Sequence, residues 1–341
     1  MNITRVASLG GVLAVCLIAA AVAAQNPPPA PTQAPPAEQA PAAQPPAGGR
    51  RGGAPPVPPI TPSPSRVLAP GAVVVKLAGD FIFTEGPTTD KAGNVYFVDQ
   101  DNNRIMKYDT AGVLTTFMQP SGYANGMTFD NQGNLIAAAD EKNEMWSIDV
   151  ATKKVTVLFN TYEGKLLNGP NDVWVHPTSG RIYFSDPYYQ RRWWNRGPRE
   201  NPETVYVYSP ADKSLKRLDE DLGQANGIIG TPNGRTLYVA DIRNRKTFAY
   251  DIAPDGSLTN KRLFCEFGSD GMTVDSEGNV YLTTGRAVQV FDKAGERIET
   301  ITAPEVPANV VFGGTDMQTL FMTARTGFYA VKTRVKGVGP Q

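Results

Sequence analysis

The chain has 341 residues, and its 33 Lys and Arg are balanced by 33 Asp and Glu, so its formal charge is zero. This balance disfavours nucleic acid as a partner, since proteins that bind it normally carry a basic excess. Of the two cysteines, Cys16 lies in a predicted signal segment, which leaves only Cys265 after it. The rest of the chain therefore forms neither an intramolecular disulfide nor a cysteine-based metal site.

Residues 1–24 are typical of a secretory signal peptide. Arg5 gives a basic start, and an apolar run ends in small residues before Gln25. The run is short for a bilayer span of about 20 apolar residues, although a single membrane anchor is the alternative. We therefore predict an exported protein, periplasmic or secreted, with no stable membrane insertion after signal cleavage.

Residues 25–66 consist almost entirely of Pro, Ala, Gln and Gly. Such a composition buries very little apolar surface and is typical of an extended, disordered linker. It contains no pattern that indicates chemistry. We therefore assign residues 67–341 to a single catalytic domain.

A strand–turn–strand pattern recurs in this domain. Five clear copies are centred on turn glycines spaced 40, 47, 54 and 44 residues apart, and a degenerate sixth copy spans 310–331. The turn glycines are Gly93, Gly133, Gly180, Gly234 and Gly278. Repeats of this length with about four strands each are typical of β-propellers, and no window shows helical periodicity. We predict an all-β, six-bladed β-propeller with four-stranded blades; an open β-sandwich is the alternative.

The segment "GAVVVKLA", residues 71–78, precedes the first copy and has no partner within it. The last copy supplies only three evident strands. An unpaired strand edge is a liability that propellers avoid by closing the ring. We therefore predict that this N-terminal strand completes the last blade as its outer strand.

One position in every repeat carries an oxygen-bearing polar side chain. It lies eight residues before the turn glycine, or nine in the third copy, and corresponds to the start of the innermost strand. The six residues are Glu85, Asn125, Asn171, Asn226, Asp270 and Asn309. Inner strands of a propeller surround its channel, so these side chains are expected to form a ring at one mouth. They either cap strand starts through backbone hydrogen bonds or share a partner such as Ca²⁺, which accepts roughly 6–8 oxygen ligands.

The only histidine, His176, aligns with turn aspartates of the other copies, such as Asp90, Asp130 and Asp275. These positions lie at the far end of the first strand, away from the ring. We therefore predict a surface turn residue. A catalytic His pair is excluded by the single histidine, and a Ser-His triad by its position. The chain also lacks a Gly-x-Ser-x-Gly elbow.

The longest spacing between turn glycines is caused by an insertion, residues 188–203, which is rich in Arg and Trp. It follows a strand that returns to the side of the ring. One interpretation is a lid in which Arg191 and Trp193 contact substrate. The other is a solvated loop with a tryptophan packed on its blade.

Over residues 72–333 the chain resembles the gluconolactonase / regucalcin (senescence marker protein) family of six-bladed propellers. The motifs that carry the resemblance are "FTEGPTTDKAGNVYFVD", "LLNGPNDVWVHPTSGRIYFSDPYY", "QANGIIGTPNGRTLYVAD" and "SDGMTVDSEGNVYLTT". The resemblance implies one divalent metal, usually Ca²⁺ with Mg²⁺, Mn²⁺ or Zn²⁺ as alternatives. The implied ligands are Glu85, Asn171, Asn226 and Asp270, and Asn125 is implied to approach the substrate.

The resulting hypothesis is Ca²⁺-dependent opening of a small-molecule lactone, in particular a sugar lactone. The metal would polarise the carbonyl, and Asp270 would act as both ligand and general base. Two alternatives stay open because fold and metal do not determine the substrate. One is an organophosphate or aryl-ester hydrolase on the same site. The other is a non-catalytic, calcium-containing propeller that binds a ligand.

Overall fold

A computed structural model describes residues 58–339 of the protein. The predicted signal peptide, 1–24, and the linker up to residue 57 lie outside the described residues. Within them, the strands form six four-stranded antiparallel sheets and one two-stranded hairpin. The predicted six-bladed, all-β propeller is therefore confirmed. Among the described residues, no helix is long and apolar enough to cross a membrane.

The strands of blades 1 to 3 run, from the innermost outward, as follows. Blade 1 contains Thr84–Thr89, Val95–Asp99, Arg104–Tyr108 and Leu114–Met118; blade 2 contains Ala124–Phe129, Leu135–Ala139, Glu144–Ile148 and Val155–Phe159; blade 3 contains Val173–Val175, Ile182–Ser185, Val205–Ser209 and Ser214–Asp219. A 3₁₀ turn, Gln100–Asn102, lies in blade 1, and a hairpin of Thr161–Tyr162 and Lys165–Leu166 joins blades 2 and 3.

Blades 4 to 6 follow the same order. Blade 4 contains Ala225–Gly230, Thr236–Asp241, Lys246–Ile252 and Leu258–Cys265; blade 5 contains Met272–Val274, Val280–Thr284, Ala287–Phe291 and Arg297–Thr302; blade 6 contains Pro307–Gly313, Thr319–Ala324, Gly327–Lys332 and Val75–Ala78. Each blade thus takes consecutive strands, except blade 6.

The N-terminal strand closes the ring. Val75–Ala78 pairs antiparallel with Gly327–Lys332, and Val75 lies opposite Ala330. The predicted closure is therefore confirmed. Blade 6 also packs on blade 1, where the rings of Phe97 and Phe328 stack with centroids 4.3 Å apart.

The core consists of six apolar clusters, and each lies between two neighbouring blades. Between blades 3 and 4, for example, Trp174 and Tyr183 pack against Ile228, Leu237 and Val239. The second strand of a blade is buried on both faces, which explains its nearly continuous apolar sequence. Each blade is thus stabilised by both of its neighbours rather than by a single central core.

The last residues of the predicted linker, 58–66, lie along the outer strand of blade 5. The backbone N–H of Thr300 donates to the carbonyl oxygen of Ile60 at 2.7 Å. The Ser65 hydroxyl and the Arg66 N–H donate to the buried carboxylate of Glu299. This part of the linker is therefore anchored to the propeller.

Glycines allow the blades to approach closely at the axis. Gly86, Gly126, Gly227 and Gly271 each follow one of the six ring residues directly. A Cβ atom at any of them would overlap the ring residue of the next blade. The repeated pair of a polar residue and a glycine is thus explained by contact between neighbouring inner strands.

Replacing Gly126 by Ala is expected to destabilise the fold by about 1–3 kcal/mol, the usual effect of overpacking. The added methyl group would overlap the carbonyl oxygen of Asn171 and the backbone of Asp172. Gly197→Ala is the matched control, because nothing lies within 4 Å of a Cβ there. Denaturant unfolding compares the two variants, and equal midpoints would contradict the close-approach interpretation.

Candidate metal centre and active site

The structure places the six predicted ring residues at the starts of the six inner strands. Four lie in the first three residues of their strand, and Asn171 and Asp270 precede theirs by two residues. All are buried except Asp270, which is partly exposed. Neighbouring strand starts touch: the N–H of Gly126, which follows Asn125, donates to the Asn171 carbonyl at 2.7 Å, and Asn226 Nδ2 donates to Asp270 Oδ1 at 2.9 Å. The predicted ring is therefore present.

Negative charge is concentrated in this ring. Burial raises the pKa of Glu85 well above its usual range, and the nearby Asp270 and Asp172 carboxylates raise it further. Burial also raises the pKa of Asp270, which the hydrogen bond from Asn226 opposes. The carboxylates of Glu85 and Asp270 thus share a low-dielectric environment, in which negative charge is costly. A cation bound by both would offset that cost.

Asp172 is a site residue that the sequence interpretation missed. Its Oδ2 accepts a hydrogen bond from the Ile228 N–H of blade 4 at 3.1 Å, and its Oδ1 accepts one from Val173. Burial raises its pKa to about 7. The available signal was its position in the repeat, because Asp172 stands where four other copies have glycine.

The donor set fits a hard divalent cation. Asn226 Oδ1 is buried and accepts no hydrogen bond, although its Nδ2 donates twice. A buried carbonyl oxygen without a donor is costly, and a bound cation would satisfy it. In residues 58–339 no cluster of three or more His, Cys, Asp or Glu side chains could hold a metal by itself. Amide oxygens would therefore have to complete the ligand set with Glu85 and Asp270, as Ca²⁺ permits.

The insertion 188–203 packs across the ends of blades 1 and 2. Arg191 Nε forms an ion pair with the buried Asp140 at 2.6 Å, and Arg192 pairs with Asp101 at 2.8 Å. Trp193 stacks on Tyr123 with ring centroids 4.2 Å apart. Arg191 and Trp193 are thus engaged within the protein, and their contact with substrate stays a prediction, as does that of Asn125.

A tyrosine of the same insertion reaches the ring. The hydroxyl oxygen of Tyr189 accepts a hydrogen bond from Asn226 Nδ2 at 2.9 Å. Burial and the nearby Asp270 carboxylate raise the pKa of Tyr189 well above its usual range, so the phenol is protonated at neutral pH. Tyr189 was not predicted from the sequence, because an insertion has no counterpart in the repeats that could establish its register.

His176 lies in a turn, as predicted. Its Nδ1 accepts hydrogen bonds from the N–H groups of Thr178 and Ser179, at 3.2 and 3.1 Å. The carboxylate of Asp90 accepts the same kind of bonds in its own turn. His176 Nε2 donates to the carbonyl oxygen of Gly234 at 3.0 Å, and burial lowers the pKa of the imidazole. The histidine therefore replaces a turn aspartate and takes no part in the ring.

The fold and the site define a six-bladed propeller that gathers carboxylate and carboxamide side chains around its axis. The profile of the SMP-30/Gluconolactonase/LRE-like region matches residues 83–326, and the chain belongs to this family. The predicted family is thereby confirmed, and with it the lactonase class of enzyme.

Several relatives support this assignment. The chain is 26% identical over 307 residues to the gluconolactonase of Zymomonas mobilis. This alignment covers 81% of this chain and 86% of that one. It is similar to the solved gluconolactonase of Xanthomonas campestris, with a TM-score of 0.74, 25% identity and coverage of 81% and 94%. The calcium-binding regucalcin of Agrobacterium tumefaciens, with a TM-score of 0.66, 21% identity and coverage of 80% and 96%, shares the fold.

The contribution of Asp172 to the stability of the metal-free protein is expected to fall between about pH 4 and 7. The pKa of Asp172 rises from an ordinary 3.8 to about 7 on folding, so the folded state retains a proton that the unfolded state releases. The stabilisation is complete below pH 4 and is lost as the pH rises through 7. Relative to Asp172→Asn, wild type should lose on the order of 2–4 kcal/mol over this range.

Chemical unfolding of both proteins in chelator, at several pH values, measures this difference. Titrating groups that do not interact with Asp172 are common to the two proteins and cancel, whereas the pKa of Glu85 also falls when the Asp172 charge is removed. A difference in unfolding free energy that does not change with pH would contradict the assignment of a raised pKa to Asp172.

Proposed function

We propose that the protein is a Ca²⁺-dependent hydrolase that opens the ring of a sugar lactone. The observation that carries this proposal is the pairing at the channel mouth of Asn226, whose buried Oδ1 accepts no hydrogen bond, with the partly exposed Asp270. Membership of a family with gluconolactonase relatives supports the choice of a lactone as the substrate.

Four side chains would hold the ion: Glu85, Asn171, Asn226 and Asp270. When bound, a divalent cation supplies Lewis-acid polarisation of the lactone carbonyl. Ca²⁺ is the first choice because two of the four ligands are neutral amides and because a solved relative is a calcium-binding protein. Mg²⁺, Mn²⁺ and Zn²⁺ are the alternatives, and metal titrations that compare their affinities with that of Ca²⁺ would distinguish them.

Asp270 is suited to the role of general base. Asn226 fixes its Oδ1, whereas its Oδ2 accepts no hydrogen bond from residues 58–339. A water molecule on Oδ2 would attack the carbonyl carbon and pass its proton to the carboxylate. The bond from that carbon to the ring oxygen would then break, and the ring oxygen would take up a proton to give the hydroxy acid.

The remaining site residues arrange this reaction. Asn125 would orient the substrate from blade 2. Asp172 bridges the inner strands of blades 3 and 4 through its bonds to Val173 and Ile228, and so holds Asn171 and Asn226 at a constant separation. Both roles use the rigidity of the inner strands, which is suited to a preorganised site.

The export of the enzyme is proposed from its sequence. The signal-like segment 1–24 and the Pro-rich linker after it are the features that support a periplasmic or secreted location. Expression of the full chain, followed by cell fractionation and N-terminal sequencing, tests this location.

Hydrolysis is expected to depend on the metal. D-glucono-1,5-lactone should be opened by the protein, chelator should abolish turnover, and added Ca²⁺ should restore it. An acyl-homoserine lactone and an aryl ester are the comparison substrates. Turnover of the ester alone would favour the alternative hydrolase, and no turnover of any of the three would favour a binding propeller.

Asp270→Asn is expected to lower kcat for the lactone by about 10²–10⁴-fold, the usual contribution of a general base. The assay requires saturating Ca²⁺, because Asp270 is also a proposed ligand. Asp255→Asn, in an exposed turn of blade 4, is the matched control and should keep wild-type kcat. Near-normal kcat in Asp270→Asn would show that another group is the base.

A further inference from the structure

Tyr189 lies beside the proposed reaction centre, although it belongs to an insertion that the repeats do not share. Asn226 Nδ2 donates to the Tyr189 hydroxyl oxygen and to Asp270 Oδ1, at 2.9 Å in both cases. The phenol and the proposed base therefore lie within hydrogen-bond distance of the same amide nitrogen. A substrate whose reacting carbon meets a water on Asp270 consequently lies within reach of the phenol.

The hydrogen of the Tyr189 hydroxyl is free to be donated. Its oxygen accepts the bond from Asn226, and no acceptor for its own proton exists among residues 58–339. The side chain is also partly exposed at the mouth. The adjacent Tyr188 differs, because its hydroxyl donates to Gln190 Oε1 at 2.6 Å.

A stack of planar groups holds Tyr189 in place. The Arg191 guanidinium lies over the Tyr189 ring, 5.4 Å from its centroid, and over the Trp193 ring, 5.7 Å from its centroid. Trp193 in turn stacks on Tyr123 of blade 2. Asp140 fixes Arg191 in this stack through the 2.6 Å ion pair. The phenol is thus positioned by blade 2 although it meets the residues of blades 4 and 5.

We propose that Tyr189 is a substrate-binding residue whose hydroxyl donates a hydrogen bond to an ester oxygen of the lactone. The proposal rests on the function proposed above, because it takes the ester group of a lactone as the acceptor. Substrate binding by Tyr189 differs from a purely structural role, in which its hydroxyl would only hold Asn226 in place. The insertion would then supply a donor that the six-fold repeat cannot place at the mouth.

Tyr189→Phe tests the proposal, because it removes the hydroxyl and keeps the aromatic ring in the stack. The variant should bind D-glucono-1,5-lactam, a lactone analogue that resists hydrolysis, roughly three- to ten-fold more weakly, which corresponds to one neutral hydrogen bond. The KM for D-glucono-1,5-lactone should rise similarly. Ca²⁺ affinity, measured by calorimetry, should be unchanged. Tyr188→Phe is the control and should match wild type in all three measurements.

The outcomes separate this proposal from the proposed function. If wild type turns over the lactone and Tyr189→Phe keeps its KM and lactam affinity, Tyr189 is not a substrate contact and the lactonase function stands. If wild type binds the lactam more tightly than Tyr189→Phe but turns over no lactone, the contact stands and the lactonase function fails. If Ca²⁺ affinity alone falls, Tyr189 only supports Asn226, and the proposal is overturned.

Asp140→Asn tests whether the stack positions the phenol. This variant should weaken lactam binding about as much as Tyr189→Phe does, because Arg191 loses its ion pair. The double variant should be no weaker than the weaker single variant, since both changes act through one contact. Additive effects in the double variant would overturn the positioning role of the stack.

Discussion

Six strands can begin around a single axis only if their backbones approach to contact distance, and the site depends on this approach. The glycines that follow four ring residues, such as Gly126 and Gly271, make that distance sterically accessible. The same approach buries most of the polar side chains at the inner strand starts. A buried polar group without a partner is costly, so the geometry that closes the ring also creates the need for a common partner on its axis.

The electrostatics of the ring follow from this geometry. Glu85, Asp172 and Asp270 are brought close together by three different blades, and burial raises the pKa of each. Without a cation, these carboxyl groups keep their protons to a higher pH than usual. With a cation bound, ring carboxylates and ring amides together would form a set of anionic and neutral oxygen ligands. The site is therefore less stable alone than a set of apolar strand starts would be. That instability is typical of a functional centre rather than of a capping arrangement.

The repeat made most of the fold predictable. Turn glycines established the register of the six copies, and the register alone located the ring, the closing strand and the turn role of His176. Residues without a repeat counterpart could not be found this way. Tyr189 lies in an insertion, and its contact with Asn226 depends on long-range packing of Arg191 against Asp140. Asp172 does have a counterpart in the other repeats, but that counterpart is glycine, so a functional side chain is unexpected there. The anchoring of residues 58–66 on blade 5 follows no periodic pattern.

The closing strand has a consequence for the order of folding. Val75–Ala78 comes before every other strand of residues 58–339, yet it pairs with Gly327–Lys332, the last of them. During synthesis, blades 1 to 5 can pack in sequence on their neighbours, but the outer edge of blade 6 is completed only when about 250 intervening residues are in place. The first of these strands to leave the ribosome is therefore the last to find its partner. Until blade 6 forms, blades 1 and 5 each lack a neighbour, and the ring of polar residues lacks Asn309.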